Sequence, residues 1–338
     1  MTGAESNPVC AEVCRGSAVE SRHRGAAVAV DPAGHVVMAC GGVETAYPPR
    51  SAVKPLQALP LVETGAAGAF GLGDGELALA CASHDGQPEA VAAVTAWLAD
   101  LGLDAGDLAC GAQRPTDPAA ADDRVAAGLP AAGALTNMCS GKHAGFLTLA
   151  RHLGAPAAGY TALTHPVQQR VLGVLETMTG LDDLTARPWG IDGCGVPTFA
   201  VPLGNLALAM ARLADPVDQP EARAAACARL RRAMTAHPQR IAGRGRFDTR
   251  VIGTTHGEVL VKSGAEGVVA GCWPANGIGF AVKADDGAAR AAEVTAMALL
   301  RRLGAVTGDG LADLARQPVV SRTGEVVGGV HAVAPLRP

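Results

Sequence analysis

Three of the four lysines in this chain stand within three residues of a serine, in Ser51-Ala52-Val53-Lys54, Ser140-Gly141-Lys142 and Lys262-Ser263-Gly264. The other 24 basic residues are arginines, so lysine marks positions where arginine cannot serve. Guanidinium keeps its proton up to a pKa above ~12, whereas a buried ammonium can lose it. A neutral lysine beside a hydroxyl is a general base for a serine nucleophile. At the start of a helix, residues i and i+3 share a face, so Lys54 Nζ is expected to reach Ser51 Oγ. Lowering the lysine pKa from ~10.4 towards ~7 costs about 5 kcal/mol, which burial and nearby cations can impose. Arg50 would add to that repulsion or bind a substrate carboxylate. The bland alternative makes Ser51 a helix cap and Lys54 a solvated cation, against the sign of the helix dipole.

The Lys262-Ser263-Gly264 tripeptide falls on a predicted strand. S-x-x-K early and K-[ST]-G on a late strand form the constellation of penicillin-binding proteins and class A β-lactamases. Their S-D-N element has no literal copy, and the nearest candidate is Ser83-His84-Asp85. Two serine–lysine pairs are therefore expected, Ser51 with Lys54 and Ser83 with Lys262.

A second constellation consists of Cys139, His143, Asp192 and Cys194. Two thiols and a C-x3-H histidine are an incomplete zinc set, and composition alone favours reading them as two buried cysteines with an interior histidine. His143 and Asp192 are candidates for gripping a substrate's ammonium and carboxylate groups. Cys10-x3-Cys14 reads as unliganded. Gly71-x-Gly73-x-Gly75 is no dinucleotide fingerprint, because Asp74 and Glu76 would repel phosphate.

These residues need elements to position them. Residues 26–40 read as a hairpin around Asp-Pro-Ala-Gly. A helical pattern runs from Ser51 towards Gly65, and Pro88 opens another helix. Helices follow at 141–153, 166–179, 204–214 and 221–236. After residue 250, three short glycine-bounded strands suggest an antiparallel sheet, then a helix at 287–303 and a last strand at 318–330. The expected fold is α/β (α+β), an antiparallel sheet flanked by helices with an inserted, mainly helical lobe. Residues 12–70 and 245–338 would form the sheet domain, 71–244 the lobe, and 1–11 a poorly ordered N-terminus. The cleft between the lobes is the default site.

Composition excludes other classes. A net charge of −4 and ten aromatic residues argue against a nucleic-acid binder. The uncharged stretch from Gly193 to Ala211 is broken by prolines and glycines, so no membrane span is expected. The N-terminus lacks a signal-peptide pattern, and the nine cysteines are expected as reduced thiols of a cytoplasmic protein.

The segments PPRSAVKPLQALPLVETGA, CASHDGQP, NMCSGKHAGFL, GIDGCGVPTFAVPL and VLVKSGAEGV, in that order over roughly residues 12–330, resemble the rhizobial-type (class 3) L-asparaginases. The resemblance implies hydrolysis of L-asparagine to L-aspartate and ammonia, a serine-β-lactamase and glutaminase-like fold, and a homodimer. It also implies two dyads, Ser51/Lys54 and Ser83/Lys262, and one zinc ion held by Cys139, Lys142 and Cys194. The zinc is expected to order the pocket rather than to be the primary catalyst. Competing expectations are a glutaminase or other serine acyl-transfer enzyme, a Cys139–His143 hydrolase, and a non-catalytic zinc or amino-acid binder on the same scaffold.

Overall fold

The structure, a computed structural model, describes residues 6–336. Its main sheet is antiparallel and is assembled from both ends of the chain. Strands β1 (Val9–Arg15), β2 (Ala18–Val30) and β3 (Val36–Cys40) come from the N-terminal part. Strands β4 (Leu260–Gly264), β5 (Val268–Trp273), β6 (Ile278–Ala284), β7 (Arg316–Val320) and β8 (Val326–Ala332) come from the C-terminal part. The order is β7-β8-β1-β2-β6-β5-β4. The long β2 pairs with β1 through its first half, and its second half lies between β3 and β6.

Residues Ala26–Val30 and Phe280–Ala284 are buried without alternation, as expected when both faces of a sheet are covered. Helix Leu203–Ala214 packs on β2, β5 and β6, and helix Ala289–Arg302 packs on β1, β2, β6 and β8. A sheet flanked by helices is thus the observed architecture. Two boundaries differ from expectation. β1 begins at Val9, and Cys10 and Ala11 are wholly buried, so residues 9–11 belong to the sheet; residues 1–5 lie outside the described residues. Helix Leu203–Ala214, expected in the helical lobe, is one of the sheet's covering layers because its Leu206, Ala207, Met210 and Ala211 face is apolar.

The helix expected from Ser51 to Gly65 is instead three short turns, Arg50–Val53, Lys54–Gln57 and Leu59–Glu63. Pro55 and Pro60 each open a new turn, since proline has no N–H to continue the old one. The last strand becomes a two-strand hairpin, β7 and β8, turning at residues 321–325. Among the described residues, no helix is long and apolar enough to cross a membrane.

Candidate active site

All four lysines are buried: Lys54 is 0%, Lys262 1%, Lys142 3% and Lys283 7% exposed. Three of them gather beneath one cleft of about 370 Å³. The turn Arg50–Val53 forms its rim. Arg50 has φ +51, a left-handed conformation that costs a non-glycine residue about 1 kcal/mol or more. Its guanidinium holds that turn in place, because Nε donates to Asp192 Oδ1 at 2.7 Å across the cleft mouth.

Ser51, on the same turn, lines the cleft, and its hydroxyl has no hydrogen-bond partner among the described residues. Lys54 runs inward instead of back to Ser51. Its Nζ lies 3.0 Å from Ser83 Oγ, 2.5 Å from Ala82 O and 3.4 Å from Met138 O. The expected Ser51–Lys54 contact is therefore replaced by Ser83–Lys54. Three oxygens from two other segments converge on the ammonium in the core, and the short turn leaves Ser51 pointing into the cleft. Burial is the strongest influence on Lys54 and lowers its pKa. The charges of Lys142 and Lys262 push the same way, against the Cys139 sulfur.

Lys262 does not bond Ser83 either. Its Nζ donates to Asp248 Oδ2 at 3.0 Å and to Ser263 O at 2.8 Å. Asp248 also accepts from Ser263 N and Ser263 Oγ. It lies on helix Phe247–Thr254, which packs on β4. Gly264 lets β4 approach the Ser51 turn, since a Cβ there would lie 2.5 Å from Pro49 O.

Below the opposite wall, Cys139, Lys142 and Cys194 come together. Lys142 Nζ donates to Cys194 Sγ at 3.0 Å, and Lys142 is carried by helix Ser140–His152. Gly141 lets that helix press on its neighbour, because a Cβ would sit 2.4 Å from Leu79 O. A hydrogen bond from Cys194 holds the Cys139 thiol well below its ordinary range, helped by Lys54 and Lys142 and opposed by burial. The Cys194 thiol is raised in return, since it keeps the shared proton. Burial lowers the Lys142 ammonium, but the two sulfurs outweigh it and the net shift is upward. Two sulfurs and an amine, all nearly solvent-free, match the nitrogen and sulfur preference of zinc. Loading would displace the protons of Cys194 and Lys142.

His143 is not part of the cleft wall. It is 0% exposed, and its Nδ1 lies 2.6 Å from the Tyr160 hydroxyl, which also accepts from Ala109 N. One residue past Lys142 on a helix is about 100° around the axis, so the two side chains cannot share a direction. Asp192 does line the cleft, with Arg50.

The structure adds residues that the sequence reading did not single out. Asp248 and Arg246 face the cleft, as do Gln113 and Asn137. Asn137 fixes the Cys139 segment, accepting from Cys139 N at 2.8 Å while its amide donates to Cys110 O. None of these stands in a recognisable motif, and only the clustering of Phe247-Asp248 ahead of the Lys262 strand could have hinted at Asp248.

The cleft is lined by the hydroxyls of Ser51, Ser83 and Ser263, the amine of Lys262 and the carboxylates of Asp192 and Asp248, groups that can serve acyl-transfer chemistry. The family follows from the sequence: residues 11–332 match the family described as L-asparaginase II, and the chain belongs to that family of amidohydrolases. No match is found among curated proteins. Among solved structures, the chain is similar to Mglu in its native form in the presence of 4.3 M NaCl, at 15% identity and a TM-score of 0.46, covering 89% of this chain and 66% of that one. A second Mglu structure gives 18% identity, a TM-score of 0.37 and coverage of 94% and 77%. Mglu in its tris and glutamate form gives 18%, 0.38, 90% and 65%. The chain thus spans about two thirds of the length of the first and third of these structures.

Proposed function

We propose that the protein hydrolyses L-asparagine to L-aspartate and ammonia through an acyl-serine intermediate, with Lys54 as the base. One observation carries this reading, the buried Lys54 Nζ within 3.0 Å of Ser83 Oγ. A neutral lysine has two N–H bonds and one lone pair. The bonds have acceptors in Ala82 O and Met138 O, and the lone pair is left for the Ser83 hydroxyl proton.

In this mechanism Ser83 Oγ attacks the side-chain amide carbon while its proton passes to Lys54. Lys54 then protonates the departing nitrogen, which leaves as ammonia. Water takes the vacated place, gives a proton to Lys54 and attacks the acyl carbon; the serine regains its proton as aspartate leaves. Lys262, held by its hydrogen bond to Asp248, faces the oxygen on which negative charge develops. Arg50 has donors beyond the one used on Asp192, and these suit the substrate's α-carboxylate; the free oxygen of Asp192 suits its α-ammonium. Ser51 is the second candidate nucleophile, favoured by a hydroxyl that faces the cleft without a partner.

Zinc held by Cys139, Lys142 and Cys194 would supply a rigid cross-link beside the cleft, its two charges balanced by the two thiolates. Those three residues would then tie helix Ser140–His152 to the loop bearing Asp192. A homodimer belongs to the same reading, and light scattering tests it directly.

The deciding experiment is ammonia release from L-asparagine and L-glutamine by the purified protein and by Ser83→Ala and Ser51→Ala. Release from asparagine, with an acid-quenched acyl adduct mapped to the peptide of Ser83, is the expected result. An adduct on Ser51 reverses the two serines, a glutamine preference changes the substrate, and no release from either amide removes the proposal.

A further inference from the structure

Away from the cleft, three side chains of metal-ligand type meet on the sheet surface. Glu12 and Cys14 are two residues apart on β1 and so project from the same face of the pleat. His331 on β8 stands directly opposite Glu12 in the antiparallel register. One ligand atom from each lies within 4.8 Å of the other two, and all three residues are half-buried. The alternate residues Ala11, Val13 and Val330 are buried on the side where helix Ala289–Arg302 packs. The three ligand-type groups therefore occupy the uncovered face.

Two further contacts bear on what this face can hold. His331 Nδ1 is shielded from solvent and has no hydrogen-bond partner, which is a costly state for a ring nitrogen unless something occupies it. Glu12 Oε1 accepts from Arg22 Nε at 2.9 Å, which orients the carboxylate and leaves its second oxygen free. Such an outer hydrogen bond is the usual support of a liganding carboxylate. Cys14 is a free thiol. Arg316, opposite His331 on β7, is the neighbouring cation that binding has to tolerate.

We propose that Glu12, Cys14 and His331 form a metal site distinct from Cys139, Lys142 and Cys194, suited to a divalent ion of the zinc class. One oxygen, one sulfur and one imidazole nitrogen make a mixed set that zinc accepts, and water completes four-coordination. Ligand atoms around tetrahedral zinc lie roughly 3.3–3.8 Å apart, so side-chain rotation of about 1 Å closes the site. The carboxylate and thiolate balance the ion's two charges. Bound metal would join the first and last long strands of the sheet, β1 and β8, which come from opposite ends of the chain.

Cobalt(II) is the probe, since a thiolate ligand gives it a near-ultraviolet charge-transfer band. In the Cys139→Ser/Cys194→Ser protein, one equivalent of cobalt should bind with that band, and zinc should displace it. Adding Cys14→Ser should abolish the band, His331→Ala should weaken binding at least tenfold, and Glu12→Gln should weaken it less. If that background does not fold, the full-sequence protein is compared with Cys14→Ser. The single variant should bind one cobalt fewer and lose part of the zinc-dependent rise in unfolding temperature, with asparagine turnover unchanged. A background protein that folds and binds no cobalt through sulfur, or a stoichiometry equal in Cys14→Ser and the parent, would overturn the site.

Discussion

Lys262 Nζ and Asp248 Oδ2 lie 3.0 Å apart with each side chain only 2% exposed. An isolated charge at this depth would be expelled or neutralised, so the pair stands or falls together. Replacing Asp248 by Asn should cost about 3–5 kcal/mol of stability, measured by urea unfolding, because it leaves the lysine's charge uncompensated. Asp248→Asn with Lys262→Met should recover much of that stability and none of the turnover. A double variant as unstable as the single one would show that the pair is not the cause.

Lys54→Arg tests the base. Arginine cannot be deprotonated, so turnover should fall about 10²–10⁴-fold while the fold persists. Unchanged turnover would remove Lys54 from the chemistry.

The pH dependence follows from the lowered pKa of Lys54. Only the neutral amine accepts a proton, so kcat/KM should rise with pH through that lowered pKa and fall away on its acid side. Desolvation, the first cause, places the rise below the ordinary lysine range of ~10.4. A profile that begins to rise only near that ordinary value would mean that Lys54 is not the titrating base.

Stability should have its own pH signature. His84 is 1% exposed, and burial pushes its pKa down to about 4. Gly86 N donates to its Nδ1, and its Nε2 lies 2.8 Å from Ser140 Oγ, so the ring is neutral with the proton on Nε2. The unfolded chain takes up a proton near pH ~6.5 and the folded one does not. Stability from this group is therefore complete above ~6.5 and is lost as pH falls towards 4, by about 3 kcal/mol. Denaturant titrations at several pH values should show that slope, and His84→Gln should flatten it.

Arg50 and Asp192 bridge the cleft mouth at 2.7 Å. Arg50→Gln should lower kcat/KM by roughly 10–100-fold, mainly through KM, as expected when a carboxylate grip worth ~1.4–2.8 kcal/mol is removed. A fall confined to kcat would move Arg50 from substrate binding to the chemical step.

Much of the sheet and several helices were legible because periodicity and turn chemistry dominate there: the hairpin around residues 31–35, the helix opened by Pro88 and the glycine-bounded strands all occur as expected. The pairing of the catalytic candidates was not legible. Spacing along a helix linked Ser51 with Lys54, but which hydroxyl a long buried side chain meets is decided by a segment 29 residues away in the chain. Asp248 was missed for the same reason, because its partner is fixed by the packing of a helix on β4. The same applies to His143, whose helix turns it towards Tyr160. For Cys10 and Cys14, a short apolar alternation at the N-terminus gave no sign that β8 would return to pair with it.

The burial of every lysine has a practical outcome. A reagent that acylates amines would find no lysine side chain on the folded surface, so conjugation or crosslinking chemistry aimed at lysine has no ready target in the folded protein. Labelling at Lys54, Lys142 or Lys262 would then report the opening of the interior. The fraction so modified over time becomes a clock for how often the cleft comes apart.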